Sequence, residues 1–577
     1  MSSEEKRPRV LSRRDFVRGA VAVGGAVAGS TMLGACQAGA QSSATSIKWD
    51  KEADVVVVGF GGAGGVAAVA AADAGAKVIV LEKQPEKTHY PNTRMSGGIF
   101  HSPDPSGDKE ALKQYLKAMF SGENLPWKGE GEQSPLVVDD IVNQFAELEP
   151  KNRDFLKSLD PDIKFLDRGG AAFPNFPGAK ESKYATLIAT YTGAMSEVPT
   201  KDLPKAQKAQ GEAFFAAIKN GVDKRKDKIT VLYETPGKRL ITNDKGEVIG
   251  VVATQGGKDI NIKARRAVVL TSGGYEYSPE MRRAFLEGPG IDGWAFYGTP
   301  ANTGDGIRMA MEVGAQLAKV GKAASRLITA IADIRVNGLK MGVITDSCGT
   351  AGTVVVNSYG KRFVAENLIT DDPSRYFSYK EAVHFDILKL EYPNIPSWMI
   401  FDEAKRAGGP LVSLTISTPG YGFVPWDKEN KIPIEKGWIL VGNTIEELGA
   451  KIKAHPENRG RMDPATLAET LRKFNEGARN KKDPEFNRKE SSLAPLEKPP
   501  FYALPLYAGG PNTKGGLQAD GNRHVLDWDN KPIPRLYTAG EISSTFKFVY
   551  QGGGNLTECL VCGQIAGRNA AAEKPWA

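Results

Sequence analysis

The sequence predicts an α/β protein, and three segments near its start support this prediction. A run of β-branched apolar residues at 53–58 predicts a buried strand. A glycine-rich turn follows, and the small residues of 66–74 then predict a helix. A second apolar run at 77–81 predicts another strand. Strand, turn, helix and strand in this order form a βαβ unit, which indicates a Rossmann-like parallel sheet.

The turn after the first strand has the spacing of a phosphate-binding loop. Its residues are Gly59, Gly61, Gly62, Ala63 and Gly64, which fit the pattern G-x-G-x-x-G. The glycines allow a tight turn and a close approach to a pyrophosphate, and the N-terminus of the helix supplies N–H donors. Glu82 ends the second strand, where a carboxylate accepts a hydrogen bond from a ribose hydroxyl. We expect Glu82 and its neighbour Lys83 to contact a dinucleotide.

Further segments at both ends of the chain extend the predicted cofactor site. One glycine pair follows Glu82, and another follows the predicted strand at 267–270. A late strand and a late helix are predicted at about 536–541 and 555–572. The residues expected at the cofactor are Ser96, Gly97, Gly98, Gly274, Gly540, Glu541, Asn555 and Leu556. A cofactor that both chain ends reach is a long one, which favours FAD over NAD, with Glu541 placed for its ribitol chain.

The composition is that of a globular protein and excludes several functional classes. Of the 577 residues, 41% are hydrophobic and 25% charged, which excludes disordered and low-complexity chains. The net charge of +7 comes without a basic tract, so we expect no nucleic-acid partner. The 4 cysteines cannot form a disulfide framework, and the 5 histidines lack metal-ligand spacing, so we expect no metal.

Residues 1–46 are expected to serve export and to act as a linker. Arg13 and Arg14 precede a mildly apolar run at 20–35, as in a twin-arginine signal. That run is shorter than the roughly 20 residues that span a membrane. Residues 33–36 also resemble a lipobox, in which Cys36 is lipidated. We expect a protein that is periplasmic or on the outer face of the membrane, touching the membrane only through Cys36.

The C-terminal part carries motifs of a known family. Residues 513–517 read T-K-G-G-L, and Tyr550 and Gly554 form the pattern Y-x-x-x-G. By these motifs the chain resembles FAD-dependent flavoproteins of the fumarate reductase and 3-ketosteroid dehydrogenase superfamily, and the dehydrogenase branch most. The resemblance implies an FAD-binding domain split between 47–295 and 495–577, with an inserted α+β cap domain at 296–494. It also places Asp305 near the flavin.

Two positions separate the branches of that superfamily. Fumarate reductases carry an arginine that clamps a substrate carboxylate where this chain has Gln551. They also carry a proton-donating arginine, after a G-K-R-F segment, where this chain has Thr370. Without these guanidinium groups a dicarboxylate loses roughly 1.5–3 kcal/mol per charged hydrogen bond. We therefore expect neutral donors around the substrate, and not a simple fumarate reductase.

The dehydrogenase branch implies roles for particular residues. The Tyr550 hydroxyl and the Gly554 amide would donate to a substrate ketone, as in an oxyanion hole. Tyr376 would transfer a proton while a hydride passes to or from flavin N5, and Tyr379 is the alternative. Arg375 would favour the ionised form of Tyr376 or donate the proton itself.

Two departures leave a steroid substrate open. Phe176 stands where steroid dehydrogenases have another active-site tyrosine, and Glu541 stands where they have asparagine. We predict an exported FAD-dependent oxidoreductase that dehydrogenates or reduces a C=C bond conjugated to a ketone. The alternatives are a reductase of another activated alkene, such as a fumarate-, urocanate- or acrylate-type acid in anaerobic respiration, and a non-catalytic FAD electron carrier. A separate quinone, cytochrome or dye-like molecule would exchange electrons with the flavin.

Overall fold

The computed structural model describes residues 47–121, 135–188, 208–371, 374–546 and 549–576. The predicted export segment, with Arg13, Arg14 and Cys36, lies outside these residues. The described strands are β1 Lys51–Val58, β2 Val78–Leu81, β3 Ile99–His101, β4 Lys164–Gly169, β5 Tyr184–Ile188, β6 Ile229–Leu232, β7 Gly237–Thr242, β8 Val248–Gln255, β9 Lys258–Leu270, β10 Trp294–Phe296, β11 Leu317–Ala323, β12 Arg326–Val336, β13 Leu339–Val343, β14 Thr353–Val356, β15 Ser397–Asp402, β16 Leu440–Gly442, β17 Phe501–Gly510, β18 Thr513–Leu517, β19 His524–Leu526 and β20 Pro532–Thr538.

Helices of very different lengths surround these strands. They are α1 Gly62–Asp73, α2 Asn92–Met95, α3 Lys109–Ser121, α4 Pro135–Leu148, α5 Asn152–Leu159, α6 Lys208–Asp223, α7 Pro279–Phe285, α8 Asp305–Glu312, α9 Tyr379–Ala382, α10 Glu403–Ala407, α11 Ser417–Gly420, α12 Lys431–Glu435, α13 Ile445–Ala454, α14 Pro464–Arg479 and α15 Gly554–Ala572. Among the described residues, no helix combines the length and the apolar character that a membrane crossing requires.

The first sheet has a parallel centre, which confirms the predicted α/β fold class. Its strands β6, β2, β1, β9 and β20 lie side by side in this order and run parallel. Val55 of β1 pairs with Val78 on one side and with Ala267 on the other. The chain therefore leaves β1 in one direction and later returns to its other side. Such a switch point opens a crevice at the carboxyl end of the strand, where ligands bind in sheets of this type.

Strand β1 is apolar throughout because both of its faces are covered. Val55 and Val57 belong to the core beneath α1 and α15, whereas Val56 and Val58 belong to the core shared with the second sheet. Side chains alternate between the two faces of a strand, so a strand covered on both faces needs apolar residues at every position. This is the physical reason for the uninterrupted run from which the sequence predicted a buried strand.

Helices α1 and α15 pack so closely that only small residues fit between them. A methyl group on Gly567 would lie 2.2 Å from the Ala67 carbonyl oxygen, and one on Gly563 would lie 2.9 Å from Val66. The small residues at 66–74 are therefore a helix-packing surface. Because α1 starts at the glycine turn and α15 starts at Gly554, this contact brings the two ends of the chain to one place.

The second sheet is mixed and is built around β17. Its order is β10–β13–β12–β17–β15–β14, and β16 also pairs with β17. Strand β17 runs antiparallel to both β12 and β15. The boundaries predicted at 295/296 and 494/495 remain predictions. Both β10 and β17 are hydrogen-bonded into the second sheet. The part of the chain that forms this sheet, here called the second layer, therefore extends from Trp294 to Gly510.

Candidate active site

A cavity of about 320 Å³ opens at the carboxyl end of β1, where the two layers meet. Most residues that the sequence predicted at the cofactor line it, namely Gly59, Gly61, Gly62, Ala63, Glu82, Lys83, Ser96, Gly97, Gly98, Asp305, Glu541, Asn555 and Leu556. The predicted catalytic residues Tyr550, Tyr376 and Arg375 line the same cavity. Gly64, Gly274, Gly540 and Gly554 are not among the described residues that line it.

Three of these four glycines let neighbouring elements of the cavity wall approach each other. A methyl group on Gly64 would lie 1.9 Å from the Gly59 carbonyl oxygen, and one on Gly274 would lie 2.1 Å from Thr513 Oγ1. Gly540 has a φ of +82°, and a methyl group there would lie 2.8 Å from the Ala63 side chain. These positions hold the wall together and do not face the cavity.

The glycine turn presents the start of helix α1 to the cavity. Gly59 has a φ of +102°, in the left-handed region that favours glycine, and a methyl group there would lie 2.8 Å from Ser272 Cα. Helix α1 begins at Gly62, whose N–H donates to Thr93 Oγ1 at 3.0 Å. The N-terminus of this 12-residue helix carries a partial positive charge. It therefore favours a pyrophosphate at this wall.

Bare backbone beside the turn fits an elongated cofactor. A methyl group on Gly61 would meet only Pro91, at 3.9 Å, and one on Gly97 would meet only Ile416, at 4.0 Å. A side chain at either position would therefore project into the cavity, and glycine keeps this wall open to a ligand. With Glu82 and Glu541 both on the wall, the residues present fit FAD.

Glu82 is fixed on the wall by two backbone donors. Its Oε2 accepts from the Phe60 N–H at 2.9 Å, and its Oε1 accepts from the Gln84 N–H at 2.7 Å. Burial opposes ionisation of this carboxyl, but the hydrogen bond and the charge of His89, together with the backbone donors, lower its pKa. Glu82 is therefore a carboxylate, as an acceptor for a ribose hydroxyl must be.

Lys83 and Asp305, both predicted at the cofactor, pair with each other. Lys83 Nζ lies 2.8 Å from Asp305 Oδ2 and 2.6 Å from Thr303 Oγ1. Asp305 opens helix α8, so the ion pair joins the end of β2 to the start of that helix. A partly exposed pair of this kind places little net charge on the wall.

Glu541 is a partly buried carboxyl that three side chains hold on the wall. Its Oε2 accepts from Asn92 Nδ2 at 3.1 Å and from Asn302 Nδ2 at 3.4 Å, and its Oε1 accepts from Thr513 Oγ1 at 3.3 Å. Burial raises the pKa of Glu541 well above its usual range, and the adjacent Glu276 raises it further. A protonated carboxyl can donate a hydrogen bond as well as accept one.

Two phenols and a guanidinium form another part of the wall. The rings of Tyr376 and Tyr550 meet edge to face with centroids 4.7 Å apart. The Arg375 guanidinium carbon lies 4.7 Å from the centroid of the Tyr376 ring. Arg375 Nη2 also lies 2.9 Å from the place that a methyl group on Gly552 would take, so a side chain there would displace the end of Arg375. The structure thus brings three of the four predicted catalytic residues together.

Tyr550 lies in an apolar environment that keeps its phenol neutral. Burial raises the pKa of Tyr550 well above its usual value, and the neighbouring Tyr376 raises it further. The Lys514 ammonium lies 4.4 Å from the centroid of the Tyr550 ring and 3.5 Å from Glu558 Oε2. Tyr550 is therefore a protonated hydroxyl donor with a buried cation at its ring face.

Two residues that the sequence placed at the substrate do not reach the cavity. The Gly554 N–H donates at 3.0 Å to the carbonyl of Gln551, in the turn that leads into α15. A methyl group on Gly554 would point at the Phe546 ring, 3.0 Å away. Phe176 stacks on Phe173 with ring centroids 4.9 Å apart and is not among the described cavity residues. This geometry gives no support to a hydrogen bond from the Gly554 amide to a substrate.

Gln551 and Thr370, which replace the arginines of fumarate reductases, are also turned away from the cavity. Gln551 is fully buried, and its Nε2 donates to Ser182 Oγ at 2.9 Å. Thr370 Oγ1 donates to the Asn367 carbonyl at 3.3 Å. Neither is among the described residues that line the cavity.

The expectation of neutral donors around the substrate stays a prediction, but the cavity wall also carries a guanidinium that the sequence did not predict. Arg326, at the start of β12, lines the cavity together with Arg375, Tyr297 and Asp346. Arg326 Nη2 donates to Asp346 Oδ1 at 3.4 Å. Sequence reasoning missed Arg326, Tyr297 and Asp346 because they belong to the second layer and share no motif. The one local signal was an arginine that opens a strand whose first half is otherwise mostly apolar.

Comparison with known proteins supports the cofactor and the class of reaction. The family model described as FAD binding domain matches residues 54–556. A 4-oxocyclohexanecarboxylate 2-dehydrogenase of Sinomonas cyclohexanicum is 28% identical, with 90% of this chain and 93% of that protein covered. A probable fumarate reductase of Shewanella frigidimarina is 27% identical, with 90% of this chain and 74% of that protein covered.

A solved structure has a similar fold over most of the chain. The crystal structure of 3-ketosteroid delta1-dehydrogenase from Sterolibacterium denitrificans superposes with a TM-score of 0.69 and 25% identity, covering 90% of this chain and 100% of that one. The resemblance to the fumarate reductase and 3-ketosteroid dehydrogenase superfamily is thereby confirmed. The chain belongs to the FAD binding domain family, and it is an FAD-dependent oxidoreductase of the kind that acts on carbon–carbon bonds.

Proposed function

We propose that this enzyme forms or reduces a C=C bond conjugated to a ketone. The observation that supports the proposal is the cluster of Tyr376, Tyr550 and Arg375 on the wall of the cavity that also contains the FAD cradle. When bound, FAD supplies the acceptor or donor of a hydride. The protein must then hold the ketone and transfer a proton, and these three side chains are suited to both tasks.

We assign Tyr550 to the ketone oxygen. Negative charge develops on that oxygen as the adjacent carbon loses or gains a proton, and a fixed donor stabilises it. The raised pKa keeps Tyr550 protonated, so its hydroxyl can donate at neutral pH. The Lys514 side chain, paired with Glu558, lies against this ring with its Nζ 4.4 Å from the centroid.

We assign proton transfer to Tyr376, with Arg375 as the alternative donor. The two side chains are stacked, with the guanidinium carbon 4.7 Å from the ring centroid. A guanidinium at this distance stabilises negative charge on the phenol oxygen while its proton is on the substrate. In the dehydrogenating direction Tyr376 would accept the proton, and in the reducing direction it would donate it.

A second candidate function is the reduction of an unsaturated acid. It is favoured by the presence of both Arg326 and Arg375 on the cavity wall, since a guanidinium binds a carboxylate through two parallel hydrogen bonds. The Shewanella relative is named as a fumarate reductase, which agrees with this candidate. The substrate would then be an acid of the fumarate, urocanate or acrylate type, and Tyr550 would contribute little.

Reoxidation of the reduced flavin distinguishes these candidates. The holoenzyme is photoreduced without oxygen, and flavin absorbance is followed after addition of cyclohex-2-enone, a 3-ketosteroid enone, fumarate, urocanate or acrylate. The main proposal predicts that an enone restores the oxidised spectrum faster than any acid without a ketone. Faster reoxidation by such an acid would favour the second candidate. If no compound reoxidised the flavin, both would fail and an electron carrier would remain.

We also propose export by the twin-arginine route, with lipidation at Cys36. The support is the sequence of residues 12–36. Cell fractionation should find the flavoprotein on the periplasmic side, and replacement of Arg13 and Arg14 by lysine should retain it in the cytoplasm. Cys36→Ala should release it from membranes. Retention of the wild-type protein in the cytoplasm would contradict the proposal.

A further inference from the structure

We infer that the substrate carries a carboxylate in addition to its ketone, and that Arg326 binds this carboxylate. The inference rests on the proposed function, which places the ketone at Tyr550, and it adds the second polar group. It defines the substrate class as an oxo acid whose reacting carbon–carbon bond lies beside the ketone. The ketone of the first candidate function and the carboxylate of the second would then belong to one substrate.

Arg326 has unused hydrogen-bonding capacity on the cavity wall. Its side chain is only 13% exposed. Among the described residues its one hydrogen bond joins Nη2 to Asp346 Oδ1, at 3.4 Å, and the buried Nε has no acceptor. Burial removes solvent from the Arg326 charge, and one long hydrogen bond does not offset that loss. A ligand carboxylate that accepts hydrogen bonds from Nε and one Nη together would offset it.

Asp346 does not saturate this guanidinium. Its side chain is 54% exposed and meets Arg326 through one oxygen only. A carboxylate in water gains little from such a pair, because solvent screens the attraction. Asp346 is therefore a weak competitor, which a ligand carboxylate inside the cavity can replace or join.

The position of Arg326 relates the carboxylate to the ketone. Tyr297 lines the same cavity as both Arg326 and Arg375, and the charges of these two guanidinium groups oppose the rise that burial causes in its pKa. Tyr376 in turn acts electrostatically on Arg326 and on Tyr550. The proposed ketone site and the guanidinium of Arg326 thus belong to one cavity that three phenols also line.

The other lining residues near Arg326 suit an apolar body between the two polar ends. Tyr297 and Ile344 belong to one small apolar core, and Ile416 packs against it. All three line the cavity. Arg375 is the less suitable carboxylate ligand, because it is stacked on Tyr376 and packed against Gly552, where the proposed proton transfer needs it.

Binding of an acid and of its ester tests the inference directly. The probes are 4-oxopentanoate and methyl 4-oxopentanoate, which have the same ketone and differ in charge. Their dissociation constants are measured on the oxidised holoenzyme from the change in flavin absorbance. The wild type should bind the acid at least about 10-fold more tightly than the ester, as expected for one charged hydrogen-bonded pair.

Substitutions at both members of the ion pair make the test specific. Arg326→Gln should weaken acid binding about 10- to 100-fold and change ester binding less than about 2-fold. Asp346→Asn, at an exposed position, should tighten acid binding because it removes the competing carboxylate. Arg472→Gln, on the exposed face of α14, is the matched control and should change neither.

Equal binding of acid and ester by the wild type would overturn the inference, as would equal weakening of both by Arg326→Gln. If Arg326→Gln did not retain FAD, the inference would still be tested by acid and ester binding to the wild type and by acid binding to Asp346→Asn. The proposed function fails separately, when no enone reoxidises the flavin. An uncharged enone that reacts as fast as 4-oxopent-2-enoate would remove the inference and leave the proposed function in place.

Discussion

Single residues of this site have roles that depend on what surrounds them. Tyr550 and Tyr376 are both phenols on one wall with rings 4.7 Å apart, yet only Tyr376 is stacked on a guanidinium. Tyr550 is instead kept protonated by burial, with an ammonium at its ring face. The same chemical group can therefore hold a carbonyl at one position and move a proton at the next.

Removal of the Tyr550 hydroxyl should affect turnover and leave the cofactor in place. Tyr550→Phe should keep the flavin spectrum and lower kcat on an enone by about 100-fold or more, as for the loss of one oxyanion donor. Stopped-flow reoxidation of the reduced flavin measures this effect. Tyr359→Phe, whose hydroxyl contacts Glu391 outside the cavity, serves as the control and should react normally. Unchanged turnover of Tyr550→Phe would remove this residue from the mechanism.

At the scale of elements, the contact between α1 and α15 determines whether the FAD cradle forms. Helix α1 presents its N-terminus to the cavity, and α15 contributes Asn555 and Leu556 to the wall. The two helices meet where Gly563 and Gly567 have no side chains. A change in their separation would move both walls of the cradle at once.

A methyl group in this helix contact should destabilise the protein and weaken FAD binding together. In Gly567→Ala the new carbon would lie 2.2 Å from the Ala67 carbonyl oxygen, so the helices must separate. Overpacking of this kind costs about 1–3 kcal/mol in the free energy of unfolding. Urea unfolding and the fraction of flavin retained on gel filtration measure the two effects. Arg568→Ala, at an exposed position on α15, should change neither, and a normal Gly567→Ala would contradict the packing argument.

At the scale of the whole molecule, a buried ion cluster holds distant parts of the second layer together. Arg362 Nη2 lies 2.8 Å from Glu366 Oε2 and 2.7 Å from Asp483 Oδ2, and Arg488 Nη1 lies 3.2 Å from Glu366 Oε2. All four side chains are almost completely buried. The G-K-R-F segment, which leads towards Arg375 and Tyr376, is thereby tied to the chain around Asp483. From outside the cavity, this cluster thus supports the segment that carries Arg375 and Tyr376.

The cluster should make stability depend on pH in the acid range. Burial opposes ionisation of Asp483, but hydrogen bonds and the charge of Arg362 lower its pKa from 3.8 to about 2. A depressed pKa stabilises the folded state above the unfolded pKa, and this stabilisation is lost as pH falls towards the folded value. Wild-type protein should therefore lose about 1 kcal/mol from this group by about pH 3.

Urea unfolding at pH 6 and pH 3 tests this dependence against a variant that cannot titrate. Asp483→Asn should be less stable than wild type at pH 6, because Arg362 loses a buried partner. The gap between the two proteins should narrow at pH 3 by about 1 kcal/mol. A gap that stays constant with pH would show that Asp483 does not titrate as its position implies.

The fold class and the glycine-turn part of the FAD cradle were determined by the sequence itself, because each depends on residues close together in the chain. A βαβ unit needs only an apolar run, a glycine turn and a helix in order, and Gly59, Gly61 and Glu82 lie on the cavity wall as that order implies. The grouping of Tyr550 with Tyr376 and Arg375 was what the resemblance to the family implied. Only the tertiary structure decided that Arg326 and Tyr297 face the same cavity and that the Gly554 amide donates to the Gln551 carbonyl. Those outcomes depend on how two sheets pack against each other, and residues adjacent in the chain do not determine that packing.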